Sequence, residues 1–194
     1  TFGYGGPLGD VFTDQAERSP GARYFMPTWD EWLKAAHYDP NKQNADGTLG
    51  GWWTYSNGTD SPHVGAPPDL GGTANFGWDH QTYPGRNPFA IPLGAYASVA
   101  HSPWGLLDVA GETIEWTESV WTDSVGIRYR FADGSSWNGS PGSFTADLIG
   151  VSGQLYPDES SLIHGIRIAS AVPAAPSVVG ILAGATAGML MRRR

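Results

Sequence analysis

The stretch GLLDVAGETIEWTESVW, residues 105–121, sets Asp108, Glu112 and Glu115 among tryptophans 116 and 121. Carboxylates this close together hold a cation, do acid–base chemistry or lock a loop, because a carboxylate withdrawn from water needs a partner. The two indole rings need a core to cover them. What lies on either side of this stretch decides between the three readings.

Upstream, MPTWDEWLKAAHYDP predicts a helix over residues 29–38. Thr28 is placed to cap the N-terminus, Glu31 completes a capping box, and Asp30 and Glu31 favour the positive end of the helix dipole. Trp29, Trp32, Leu33 and Ala36 recur at helical spacing, which gives one apolar stripe for the core. Asp39-Pro40 ends the helix. Residues 41–75 are dominated by turn chemistry (NADGTLGG, SNGTDSP, APPDLGG), with a short strand expected in GWWTYS. Further short strands are expected at 90–96, 127–131, 135–138 and 165–170, with helical turns near 104–108.

Composition narrows the class. The chain has 194 residues with 27 Gly and 15 Pro, which leaves little room for long regular elements, while nine Trp, eight Tyr and seven Phe supply a core. One loop-rich globular domain follows. The formal charge of −8 argues against nucleic acid as a partner, because such binding depends on Lys and Arg neutralising phosphates. Cysteine is absent, which removes disulfides, thiolate ligands and thiol nucleophiles together. The histidines at 37, 63, 80, 101 and 164 are isolated, and no nucleophile elbow, zinc helix motif or phosphate loop occurs.

The C-terminal part, AVPAAPSVVGILAGATAGMLMRRR, has three sections: a Pro-containing linker at 171–177, an apolar run at 178–191 and three arginines. The run is shorter than the roughly 20 apolar residues that a helical membrane span needs. It lacks the polar positions of a core helix, so a sorting or anchoring segment over 178–194 is expected. This order resembles the PEP-CTERM class of bacterial sorting signals. The resemblance implies an exported, envelope-associated protein that meets an exosortase-type machinery and the membrane through residues 178–194.

Six segments in order, ARYFMPTWDEWLKAA, WWTYSNGTDSP, TANFGW, PLGAYASVAHSPWGLLDVAGETIEWTESVW, DGSSWNGS and HGIRIAS, resemble the signatures of the formylglycine-generating enzyme, or sulfatase-modifying factor, family. The nearest form is the type in planctomycete-like bacteria that carries a PEP-CTERM tail. The resemblance implies a domain over 22–170, with 1–21 as a remnant of the family's N-terminal part, in the family's variant of the C-type lectin fold: α+β, loop-rich, with few short strands and one clear N-terminal helix. It also implies a structural Ca²⁺ ion held by Asn75, the carbonyl of Phe76, Glu112 and Glu115, where Glu112 stands in place of a family Asn.

True formylglycine makers bind copper through two cysteines that follow the segment matched by DGSSW, and this chain has none. Ser136, Ser140 and Ser143 are poor substitutes, since Cu(I) prefers soft sulfur ligands. No copper and no formylglycine-generating activity are expected, and no catalytic residue is assigned. A binding or structural module follows, with Trp53, Tyr55, Trp78 and His80 as candidates for contacting a glycan or protein ligand. The alternative is an enzyme of the same family with a different, metal-dependent oxidative chemistry.

Overall fold

A computed structural model describes residues 17–79, 81–136 and 163–171, together with the backbone of 153–155. The capping box forms as expected: Glu31 N–H donates to Thr28 Oγ1 at 3.2 Å, and Thr28 N–H donates to Glu31 Oε2 at 2.8 Å. It starts α1 (Trp29–His37). Trp32 and Ala36 are buried and pack on Val109, with Leu33 and Leu106 alongside. The helix stops one residue short of the expected end, where the chain turns extended at Tyr38.

The pieces around α1 are short strands in three sheets. β1 (Tyr24–Phe25) pairs antiparallel with β8 (Ala169–Ser170), closing the domain's two ends on each other. β2 (Tyr38–Gln43) and β3 (Leu49–Trp52) form a hairpin. The main sheet has the order β6-β5-β4-β7, built from β4 (Ile114–Thr122), β5 (Arg128–Asp133), β6 (Gly153–Leu155) and β7 (His164–Ile166). β4 and β5 are antiparallel, whereas β7 lies parallel to β4. Among the described residues, no helix is long and apolar enough to cross a membrane. The linker and apolar run at 172–194 lie outside them.

Several strand expectations are corrected. Among the described residues β4 is the longest strand, and it runs through the second half of the opening stretch, where no strand was expected. β2 begins at the expected end of the helix and runs into the first three residues assigned to turn chemistry. Residues 90–96 form tight turns instead of a strand, with Ala95 N–H bonded to Pro92 O and Ala97 N–H to Gly94 O. Pro88 and Pro92 cannot donate to a ladder there. The expected strand at 165–170 splits into β7 and β8, because Arg167 between them engages Glu115. Of the expected strand at 135–138, Ser135 and Ser136 are irregular and residues 137 and 138 lie outside the described residues.

The strand interior explains the first of these differences. On β4 the buried positions include Glu115, Thr117 and Glu118, while Ile114 and Trp116 are half-buried. A polar inward face hides the apolar alternation by which a strand is ordinarily read. Val109 and Ala110, just before the strand, enter two different clusters: Val109 packs with α1, and Ala110 with Ala74 and Phe76. The opening stretch therefore joins the helix layer to the loop layer.

Candidate functional site

The segment at 74–76 is clamped on two sides. Ala74 forms a parallel bridge with Gly65, and Asn75 forms one with Gly111. Gly111 has φ +85, and a Cβ there would lie 2.6 Å from Asn75 N and 2.7 Å from its carbonyl oxygen. Only a glycine admits this approach. The amide of Glu112 then donates to Asn75 O at 3.0 Å, and the amide of Gly111 donates to Ser135 Oγ at 2.7 Å.

This clamp gathers unsatisfied oxygens. Asn75 is 0% exposed; its Nδ2 donates to Pro88 O at 2.9 Å, which directs Oδ1 the other way and leaves it without a partner. Asp108 accepts from Gly94 N–H at 2.6 Å through Oδ2, while its buried Oδ1 has no partner. Glu112 Oε1 is likewise buried and unpartnered. Among the described residues, Asp108 (φ 53) and Glu112 (φ 63) are the two non-glycine residues in the left-handed region. Such a conformation costs of order 1–3 kcal/mol, most where the side chain does not favour it, as for Glu.

The electrostatics agree. Burial pushes the Glu112 carboxyl up to about 7; Asp108 adds repulsion, and a hydrogen bond from the Asn75 side chain works in the opposite direction. The Tyr96 phenol, which donates to Ala66 O at 2.9 Å, is also pushed up, by burial first and then by the charge of Glu112. Glu112 thus lies within reach of Asp108 and of the Asn75 side chain, and each of the three keeps a buried oxygen without a partner. Hard oxygen donors of this kind suit a calcium-type ion. Among the described residues, no group of three or more His, Asp or Glu gathers as a metal site.

Glu115 is placed differently. It is 7% exposed and accepts from Trp32 Nε1 at 2.7 Å, from Arg167 Nε at 2.9 Å and from Arg167 Nη2 at 2.7 Å. Its carboxylate ties α1, β4 and the segment after β7 together. The Phe76 ring sits in the core with Ala74 and Ala110, and its carbonyl oxygen lies against Gly65. The structure therefore brings Asn75 and Glu112 together and sets Glu115 in a separate ion pair. Asp108 joins the first group although the sequence reading did not select it. The one signal available in sequence was its place in the same glycine-flanked turn as Glu112.

The ligand candidates also divide. Trp53 is half-buried, with Nε1 donating to Asp39 Oδ2 at 3.2 Å and Lys42 Nζ 3.9 Å over its ring. Tyr55 is half-buried and meets His63 edge-on. Trp78 is 3% exposed, a core position packed against Tyr83. His80 lies outside the described residues. Of the adjacent pair Trp52 and Trp53, it is Trp52 that faces solvent, 43% exposed and paired with Tyr38 across the hairpin at 5.3 Å.

One further constellation merits a chemical test. Ser56 Oγ lies 3.1 Å from His63 Nε2, and Thr73 Oγ1 lies 3.4 Å from His63 Nδ1. Ser56 is 2% exposed, and the cavity beside it measures about 10 Å³, room for no more than a water. Burial pushes His63 down to about 4. A nucleophile sealed in this way meets no substrate, so the trio is structural.

Where the family's DGSSW-type segment stands, the groups are also engaged in packing. Asp133 accepts from Trp29 Nε1 at 2.6 Å, and Ser135 holds the Gly111 amide.

Comparison with known proteins bears on the family and the fold. The model of the sulfatase-modifying factor enzyme 1-like domain matches residues 8–172. The crystal structure of CarF superposes with a TM-score of 0.52 at 23% identity, over 80% of this chain and 50% of that one. At that identity the likeness speaks for the fold alone, and the chain spans about half the length of the protein it matches. No curated protein matches the chain.

Proposed function

The chain belongs to the sulfatase-modifying factor enzyme 1-like family, and on that premise we propose that it is a non-catalytic binding or structural module. The observation that carries this is the absence of cysteine from all 194 residues, in a family whose oxidative chemistry uses a thiol pair. Hydroxyl side chains do not replace soft sulfur donors for copper. The segment at the matching position supports the same reading, because Asp133 and Ser135 are engaged in holding α1 and the Gly111 turn. The domain takes the family's variant of the C-type lectin fold.

In this reading calcium plays a structural part. Asn75, Asp108 and Glu112 would hold it, since each has a buried oxygen without a partner. The ion would supply positive charge that offsets the two carboxylates and stabilises the left-handed turn. Ligand recognition, of a glycan or a protein, falls to exposed aromatic groups such as Trp52 with Tyr38 beside it. The protein is exported and envelope-associated, and meets the membrane and an exosortase-type machinery through residues 178–194.

Two measurements test the proposal. Incubation with a cysteine-containing sulfatase peptide should leave its mass unchanged; conversion of cysteine to the aldehyde would refute the non-catalytic assignment. Metal analysis of the purified protein should find calcium or none, whereas stoichiometric copper or iron would favour an oxidative enzyme.

A further inference from the structure

The segment from Asn87 to Leu107 contains no Asp, Glu, Lys or Arg, although 15% of the chain is charged. It also exposes large apolar side chains: Leu93 is 84% and Trp104 55% exposed, and Phe89, Val99 and Leu107 are open as well. Leu107 reaches back over Gly94, with Cδ1 3.4 Å from where a Cβ would stand, so the side chain adjoins the Leu93 turn. On its other side, Leu107 O accepts from Arg167 at 3.2 Å, and Arg167 lies between exposed Ile166 and Ile168. Arg167 has its charge matched by Glu115. The outcome is an apolar margin, with one internally matched ion pair, that runs from the Leu93 turn through Leu107 to the segment before β8.

We propose that this margin is a lipid-facing surface that rests on the bilayer. The occupant follows from where the chain goes next. After β8 only residues 171–177 separate the domain from the apolar run at 178–191, and seven extended residues reach roughly 25 Å at most. A domain held at that range keeps its nearest face close to the membrane, and exposed Trp and Leu without charge suit the boundary between headgroups and acyl chains. Absence of Lys and Arg from the segment makes the contact hydrophobic instead of electrostatic, so anionic lipid gives it no advantage. The inference rests on the proposal that residues 178–194 engage the membrane.

The lack of cysteine makes the test direct, because Leu93→Cys carries a single environment-sensitive label on the full chain, with Ala45→Cys in the β2–β3 turn as reference. Both are bound to neutral phosphatidylcholine vesicles and separated by flotation. We expect the protein to float, the label at 93 to shift to the blue and be quenched by nitroxide-bearing lipid, the label at 45 to stay aqueous, and added salt to change neither. Flotation with an aqueous label at 93 would overturn the inference and leave membrane anchoring intact. Failure to float would remove the anchoring and this surface with it. Shielding at 93 without vesicles, rising with protein concentration, would assign the face to a second copy of the chain and overturn the bilayer contact.

Discussion

Two carboxylates three residues apart, Glu112 and Glu115, have opposite surroundings. Glu115 meets the indole N–H of Trp32 and the guanidinium of Arg167, and so ties the helix and β4 to the segment after β7. Glu112 sits in a left-handed turn with one oxygen unpartnered, beside Asp108 and Asn75 in the same condition. The difference teaches that proximity in sequence does not make a site. A carboxylate supplied with protein donors serves the fold, while one that the fold leaves short of donors is where an ion or a proton is wanted.

The largest effect should come from removing the feature that both regions share. Gly111→Ala places a Cβ against the Asn75 backbone in a left-handed conformation, and a loss above about 3 kcal/mol is expected in urea denaturation. A normal midpoint would mean that the bridge to Asn75 is not needed. Glu115→Ala breaks the satisfied half alone and strands the Arg167 charge, at a cost of about 3 kcal/mol. Calorimetry should show that loss with and without calcium. If calcium stabilised the wild type but not this variant, Glu115 would belong to the ion site after all.

Calcium sharpens the other half. For a site loaded at a hundred times its dissociation constant, linkage adds about 2.7 kcal/mol, so the wild-type melting temperature should rise at pH 8 while that of Glu112→Gln should not. An equal response in both would exclude Glu112 as a ligand.

The smallest effect is the pH dependence without metal. Glu112 is raised in the folded state, so its contribution to stability is fully present below the unfolded value near 4.5 and is lost as pH rises through about 7. His63 is depressed, so its contribution is present above about 6.5 and is lost as pH falls through about 4. Glu112→Gln should therefore flatten the alkaline limb of the melting curve and leave the acid limb in place. His63→Gln should soften the acid limb only.

Much of the helix was legible because its signals are local. Thr28 and Glu31 cap each other within one turn, and the Trp32–Ala36 stripe needs nothing beyond its own spacing. β4 was not legible, because Glu115 and Thr117 point inward, where a pattern-based reading expects apolar residues. Their partners, Arg167 and Phe131 O, come from residues far along the chain. Asn75 and Glu112 were selected through motif position. Asp108 was not, because its left-handed backbone and the Gly94 amide that takes only one of its oxygens are set by the fold.

The residue order alone determined the capped helix, the loop-rich α+β class, the family signatures and the want of a thiol, since all of these are carried by neighbouring residues or by composition. Tertiary structure decided which acid was satisfied and which was not. A hydrogen bond or an ion pair depends on a few tenths of a nanometre between groups distant in the chain, and only folding sets that separation.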